Sequence, residues 1–78
     1  MARAFRPNVC YDVDYDHKQF EVPTYAEVKR NMKDYLNEAD AEVTVYRHRR
    51  GEWGEWFEKW KSSYHDGRKP CIFEEGWM

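Results

Sequence analysis

Three aspartates at alternate positions, Asp12, Asp14 and Asp16, form the first group in this chain whose spacing could do chemistry. Carboxylates at every second residue also open the calcium-binding loop of EF-hand proteins. That loop needs a glycine at its sixth position and a glutamate at its twelfth, where this chain has His17 and Pro23. Spacing with a period of two is instead typical of one face of a β-strand. We therefore predict a solvated acidic face, or an acidic patch for a basic partner, and no metal site.

The chain has one basic run, Arg47-His48-Arg49-Arg50. Arginines contact phosphates in nucleic-acid-binding proteins, and the nearby Tyr46 and Trp53 could stack on bases. Arginines also form bidentate pairs with the carboxylates of a protein partner. A solvated strand end explains the run equally well, and a short run is a weak pattern for nucleic acid in a chain of net charge −2. All three interpretations stay open at this point.

Residues suited to catalysis or to a cofactor are not arranged together in the sequence. His17, His48 and His65 are far apart, and none is spaced with a cysteine or carboxylate as metal ligands are. The chain has no nucleophile elbow and no glycine-rich phosphate loop. Cys10 and Cys71 could form a disulfide, but a reducing cytosol favours two free thiols. We therefore predict a protein that is not an enzyme and that needs no cofactor and no metal.

Composition indicates one small domain with an unusual number of aromatic rings. The chain has 78 residues, and its 4 Trp, 6 Tyr and 4 Phe are more than a core of this size can fully bury. Some of these rings are therefore expected at a contact surface, where Trp and Tyr are enriched. The sequence shows no signal peptide and no apolar stretch long enough to span a bilayer, which predicts a soluble, cytosolic protein.

The elements that position these residues are organised by the junction at residues 20–27. Phe20 and Val22 alternate with polar residues, as in a half-buried strand, and Pro23 removes the backbone donor that would continue the ladder. Thr24, followed three residues later by Glu27, has the pattern of a capping box. The sequence therefore predicts that a strand ends at Pro23 and that a helix begins at Tyr25.

The same alternation predicts two further strands around this junction. The first forms an antiparallel hairpin with the junction strand, and the core-facing residues of the pair are Val9, Tyr11, Val13, Tyr15, Phe20 and Val22. The helix presents an apolar stripe and ends within residues 37–40; the stripe consists of Val28, Met32, Tyr35 and Leu36. A third strand, in which Ala41, Val43 and Val45 alternate with polar residues, runs into the basic run.

The segment after Gly51 is predicted to be a second, aromatic helix. Its rings recur near the spacing of one helix face, and they are Trp53, Trp56, Phe57, Trp60 and Tyr64. Gly67 stands where that helix would stop, although Gly54 weakens its first turn and the stretch could begin as a strand. Residues 71–73 are expected to add an edge strand or a docked tail.

The predicted fold class is therefore α+β. It comprises a three-stranded antiparallel sheet in β-β-α-β order, one helix packed across it, and the C-terminal aromatic helix. We expect one domain over residues 1–78, made of a flexible arm at 1–7, the β-β-α-β unit at 8–50 and an aromatic extension at 51–78.

Residues 13–47 contain a spaced set of residues that matches a known family. The set consists of Val13, Asp14, Phe20-Glu21-Val22-Pro23, Tyr25-Ala26-Glu27, Glu42-Val43-Thr44 and Arg47. On these residues the stretch resembles the small early-infection proteins of T-odd podophages that inhibit the host's RNA polymerase. The resemblance implies a β-β-α-β fold that binds the jaw of the polymerase's largest subunit. It also implies arginines at the end of the third strand as the principal contacts, and an acidic face that interferes with promoter opening.

Arg47 corresponds to one of the family's contact arginines, whereas Val45 stands where the other is expected. Arg49 lies two residues beyond Arg47 and would share its strand face if the strand extends that far. We therefore expect an inhibitor of bacterial RNA polymerase that acts in the host cytoplasm by stoichiometric binding near the downstream DNA channel. The alternatives are an inhibitor of another host or antiviral-defence enzyme and a small nucleic-acid-binding module. The expected partner-binding residues are Arg47, Arg49, Arg50, Asp12, Asp14, Asp16, Trp53 and Trp56.

Overall fold

An antiparallel sheet and a helix make up the computed structural model, which describes residues 9–39, 42–51, 53–63 and 67–78. In chain order the elements are β1 (Val9–Tyr15), β2 (Lys18–Val22), α1 (Tyr25–Glu38), β3 (Val43–Arg49), β4 (Trp56–Ser63) and β5 (Lys69–Trp77). The five strands lie in the order β2-β1-β3-β4-β5, and every neighbouring pair is antiparallel. The described helix is too short and too polar to cross a membrane.

The hairpin of β1 and β2 forms where the alternation predicts it. Tyr15 pairs with Lys18, so Asp16 and His17 alone make the turn, with φ angles of 50° and 66°. Positive φ at both central residues gives a turn whose twist matches that of the flanking strands, and aspartate tolerates this conformation better than most residues. The predicted hairpin is therefore confirmed.

The start of α1 also agrees with the sequence. Thr24 is the N-cap in an extended conformation, and its hydroxyl accepts a hydrogen bond of 3.2 Å from the Glu27 amide. The Glu27 carboxylate lies 3.5 Å from Arg30 one turn along the helix. The helix ends after Glu38, where the Ala39 amide donates to the Tyr35 carbonyl.

The core lies between α1 and the face of the sheet that this helix covers. Val28 and Met32 of α1 are fully buried against Val13, Val43 and Val45, which come from the two central strands. Trp60 of β4 and Tyr15 and Val22 of the hairpin close the same layer. These side chains share one face because strand residues alternate between faces and because Val13 pairs with Val45 across the ladder.

The prediction of a C-terminal aromatic helix is wrong, and so is the prediction of a three-stranded sheet. The structure has β4 and β5 in place of that helix, so the fold is a five-stranded antiparallel sheet with one helix among the described residues. Trp56 and Trp60 are four residues apart, which places them on one face of a helix and equally on one face of a strand. In the structure Trp56 pairs with Arg47 and Trp60 pairs with Val43, so long-range pairing with β3 decided the outcome.

Three glycines with positive φ and a bulge shape the connections and the pairing of β4 and β5. Gly51 and Gly54 have φ angles of 88° and 84° in the connection between β3 and β4, and Gly67 has a φ angle of 66° before β5. The register of β4 and β5 shifts between Lys59 and Trp60. The predictions for the arm at residues 1–7, for Ala41 at the start of the third strand, and for Tyr64 and His65 lie outside the described residues.

Replacement of the cap should weaken the helix. Thr24→Ala removes the hydroxyl that accepts from the Glu27 amide, at a cost of about 1 kcal/mol in the free energy of unfolding. In a domain of this size that cost lowers Tm by roughly 4–8 °C. Thermal unfolding followed by circular dichroism measures it, with Thr24→Ser as the variant that keeps the cap. An unchanged Tm in Thr24→Ala would contradict the capping role.

Alkaline pH should destabilise the fold through Tyr15. Burial of this phenol, followed by its 2.9 Å hydrogen bond to Glu38, raises its pKa to about 12. In the unfolded chain the phenol loses its proton near its ordinary value of 10.0, so the unfolding free energy falls as pH rises from about 10 to about 12. Urea unfolding at about pH 9 and about pH 11 should show a smaller decrease for Tyr15→Phe than for the wild type. An equal decrease in both proteins would contradict this assignment.

Candidate partner-binding site

Arg47, the first residue of the basic run, lies beside two indole rings on the helix-covered face of the sheet. Its guanidinium carbon is 5.8 Å from the ring centroid of Trp56 and 5.6 Å from that of Trp77. The two indoles contact each other edge to face, with centroids 5.4 Å apart. Guanidinium groups are attracted to the faces of aromatic rings at such distances. Arg47 is therefore held in place by β4 and β5 and is only half-exposed.

Glu58 fixes the rings around this arginine. Its carboxylate accepts hydrogen bonds from the Tyr25 hydroxyl at 2.9 Å and from the indole nitrogens of Trp56 and Trp60 at 3.3 Å each. A half-buried carboxylate needs such donors because it has lost part of its hydration. The contact joins the first residue of α1 to the middle of β4. Sequence analysis missed Glu58 because the predicted helix hid its alternation with Trp56 and Trp60.

Tyr25 remains a hydrogen-bond donor to Glu58 at any physiological pH. Burial of its hydroxyl raises the pKa of Tyr25 well above its ordinary value, and the hydrogen bond and negative charge of Glu58 raise it further. The phenol ring packs 5.4 Å from that of Tyr11, and Lys29 lies 5.7 Å from its centroid. The helix start is therefore anchored to both β1 and β4.

The outer part of this region is strongly exposed. Trp53 is 96% exposed, and Trp77 and Met78 are 54% and 68% exposed. Arg49, at the end of β3, and Arg50, in the turn that follows, are exposed as well. We call these five residues the Arg–Trp surface: Arg49, Arg50, Trp53, Trp77 and Met78. It places exposed indoles and guanidinium groups at one end of the sheet.

The connection that carries Trp53 is held against the end of β5. The Met78 amide donates to the Glu55 carbonyl at 2.9 Å. A Cβ atom on Gly54 would lie 2.9 Å from the Met78 carbonyl oxygen, and the positive φ of Gly54 strains any larger residue. Only glycine therefore allows this close approach of two backbones, which keeps Trp53 and Trp77 at the same end of the sheet.

The predicted acidic residues are not brought to the Arg–Trp surface. Asp12 and Asp14 lie on the opposite face of β1, away from α1, and Asp16 lies in the turn at the far end of the strand. Of the predicted site, the structure brings Arg47, Arg49, Arg50, Trp53 and Trp56 to one end of the sheet. The acidic residues belong to a separate surface.

His48 is the second feature that sequence analysis did not find. Its ring lies between two carboxylates, with Nε2 2.7 Å from Asp12 and Nδ1 2.9 Å from Glu55. A neutral imidazole has one N–H, whereas the protonated ring donates to both. The pairing of Cys10 with His48 across β1 and β3 places Asp12 close by, and this register is not visible in the sequence.

The described residues contain no cluster of metal ligands, and the cavity beside Arg47 is small. Within the described residues, no group of three histidine, cysteine or acidic side chains is arranged to hold a metal ion. Cys10 and Cys71 are both free thiols, which agrees with the prediction. A cavity of about 100 Å³ beside Arg47 is lined by Tyr11, Tyr25, Val45, Arg47, Trp56 and Glu58. Typical small-molecule sites are several times larger than this cavity.

No protein family, curated protein or solved structure matches the chain. The site is therefore assessed on its own geometry, which is an exposed surface of indoles and arginines supported by a hydrogen-bonded carboxylate.

Loss of the Glu58 carboxylate should destabilise this end of the molecule. Glu58→Ala leaves Tyr25, Trp56 and Trp60 without their acceptor, at a cost of about 1–3 kcal/mol in unfolding free energy. Glu74→Ala, on the neighbouring strand, is the control, because its carboxylate is 54% exposed and lies 3.9 Å from Lys59, where ion pairs contribute at most about 1 kcal/mol. Urea unfolding compares the two variants. Equal unfolding free energies for Glu58→Ala and Glu74→Ala would contradict a stabilising role for the three hydrogen bonds.

Proposed function

We propose that this protein is a phage-encoded inhibitor of bacterial RNA polymerase that acts by stoichiometric binding. The observation that carries the proposal is the Arg–Trp surface, where Trp53 is 96% exposed beside exposed arginines. Soluble domains seldom leave indoles so exposed, and clusters of tryptophan and arginine are the commonest energetic centres of protein interfaces. The resemblance of residues 13–47 to the polymerase inhibitors of T-odd podophages supplies the target.

The extent of β3 supports a contact role for Arg49. The strand runs from Val43 to Arg49, so Arg47 and Arg49 share the face that α1 covers elsewhere. Val45, which stands where the family has an arginine, is 2% exposed and belongs to the core. Arg49 is thus placed to supply the guanidinium that Val45 lacks.

Arg47 contributes differently from Arg49. Its guanidinium is stacked against Trp56 and Trp77, which lowers the entropy that it would lose on binding a carboxylate. Arg49 and Arg50 are exposed and meet the partner at the rim. The proposed interface therefore has a preorganised arginine, Arg47, at its inner edge, and exposed arginines and the exposed Trp53 indole outside it. Carboxylates on the polymerase subunit are the matching partner groups.

Nucleic acid is the competing partner for the same arginines and indoles. Single-stranded nucleic acids stack on exposed aromatic rings beside positive charge. The net charge of −2 and the acidic residues on the opposite face disfavour such a partner. The salt dependence of binding and the effect of replacing an arginine with lysine distinguish a nucleic-acid partner from a protein partner.

A transcription assay with purified bacterial RNA polymerase tests the proposal. We expect the wild type to inhibit at near-stoichiometric amounts, and we expect Trp53→Ala and Arg49→Ala each to weaken inhibition about tenfold or more, which is about 1.4 kcal/mol. Arg49→Lys should stay impaired because lysine lacks the planar fork that binds a carboxylate. The matched controls are Phe73→Ala, an exposed ring on the opposite face, and Lys33→Ala, an exposed cation on α1.

A gel shift with duplex and single-stranded DNA accompanies this assay. No inhibition by the wild type at a large excess would overturn the polymerase target. A gel shift that weakens steeply with salt and that Arg49→Lys preserves would assign the Arg–Trp surface to nucleic acid instead.

A further inference from the structure

The face of the sheet opposite α1 has no covering element among the described residues. We call it the open face, and its side chains come from alternate positions of all five strands. Its centre is formed by Thr44 and Tyr46 of β3 and Phe57 of β4, all half-buried, and Phe73 at its edge is 41% exposed. Cys10, on the same face of β1, is 4% exposed. The Arg–Trp surface lies at one end of the sheet, so the open face is a separate surface.

Charge on the open face is divided between its two halves. Glu21 of β2 and Asp12 and Asp14 of β1 lie on one side of β3. Lys59 and Lys61 of β4 and Lys69 of β5 lie on the other side. Two carboxylates share that side, Glu74, 3.9 Å from Lys59, and Glu55, 2.9 Å from His48. The central strand between the two halves carries Thr44, Tyr46 and His48. The open face is therefore acidic on one side of β3 and mainly basic on the other.

We propose that two copies of this chain associate through their open faces, as the two sheets of a β-sandwich. The two-fold axis runs parallel to the strands, between the two copies of β3. Rotation about this axis moves each strand to the opposite side of β3 and keeps each residue at the same level along the strands. β1 of one copy therefore faces β4 of the other. The acidic half of each copy then meets the basic half of the other.

The register of the sheet predicts which residues meet. Thr44 pairs with Asp14 on one side and with Lys59 on the other, so these two residues are equidistant from β3 at the same level. After the rotation, Asp14 faces Lys59 of the second copy, twice in the dimer. One level along, Asp12 faces Phe57 of the second copy, and the two Tyr46 side chains meet at the axis.

The charge pattern also excludes the other face-to-face arrangement. A two-fold axis perpendicular to the strands would place β1 on β1, so that Asp12 and Asp14 meet their own copies. Like charges brought together at an interface oppose association, whereas opposite charges set its register. Only the axis parallel to the strands gives complementary halves.

The size of the face indicates a weak dimer. Five strands about 4.8 Å apart, each about seven residues long at about 3.4 Å per residue, present roughly 20 by 24 Å. Two copies together would bury on the order of 1,000 Å², which is at the lower limit for specific interfaces. We therefore expect association at protein concentrations on the order of 100 μM.

A charge exchange across the axis tests the proposal. Asp14→Lys places lysine opposite Lys59, and Lys59→Glu places glutamate opposite Asp14, so each variant alone should dissociate at least tenfold more readily than the wild type. In an equimolar mixture, a heterodimer of the two variants has a complementary pair at both positions and should regain association. Sedimentation equilibrium measures the mass, which for the wild type should rise from 9.6 kDa towards twice that value.

The matched control is Lys33→Glu, which makes the same charge change on the exposed side of α1 and should associate as the wild type does. Thermal unfolding of each variant checks that it is folded, and heterodimer formation itself requires two folded copies. A wild type that stays monomeric up to about 1 mM would overturn the proposal and leave the open face to solvent or to another partner. A mixture that does not regain association, or a loss in Lys33→Glu equal to that in Lys59→Glu, would overturn it as well.

Discussion

Glu58 projects from the middle of β4 into the layer between sheet and helix, and the hydrogen bonds that it accepts hold that layer together at one end. The donors are the Tyr25 hydroxyl and the indole nitrogens of Trp56 and Trp60. Each donor is a large amphipathic ring that packs its apolar part and needs one polar partner. One carboxylate satisfies all three, because an ionised carboxylate has about four acceptor sites. Without it, three polar groups would lie against apolar surface at the start of α1.

This arrangement explains how an arginine is accommodated beside the core. Trp56 is fixed by Glu58, and Trp77 packs on Trp56, so Arg47 meets two rings whose positions are already determined. Cation–π contacts of this kind are individually modest, about 0.5–2 kcal/mol. Their structural effect is to hold the guanidinium beside these two indoles. Stability and the proposed binding surface thus depend on the same carboxylate.

Alternation along the strands separates the molecule into two surfaces with different chemistry. On one face of β3, Val43 and Val45 enter the core and Arg47 and Arg49 continue beyond it. On the other face, His48 joins Asp12 of β1 to Glu55, which precedes β4. The helix covers only the first face, so the second presents its charges without a covering element among the described residues. The Arg–Trp surface and the open face are therefore two separate surfaces.

The secondary structure of the first half of the chain follows from interactions between near neighbours in the sequence. The secondary structure of the second half does not. The alternation of β1, β2 and β3 and the Thr24 cap act between near neighbours, so the sequence alone predicted them correctly. The spacing of Trp56 and Trp60 does not distinguish a helix from a strand, because residues four apart lie on one face of either element. Tertiary structure decided between them, since backbone pairing with β3 and β5 is available to a strand and not to a helix. For the same reason the sequence predicted Arg47 and Trp56 as binding residues but could not place them beside Trp77 and Glu58. Those contacts arise only from a register that is set when the whole sheet has formed.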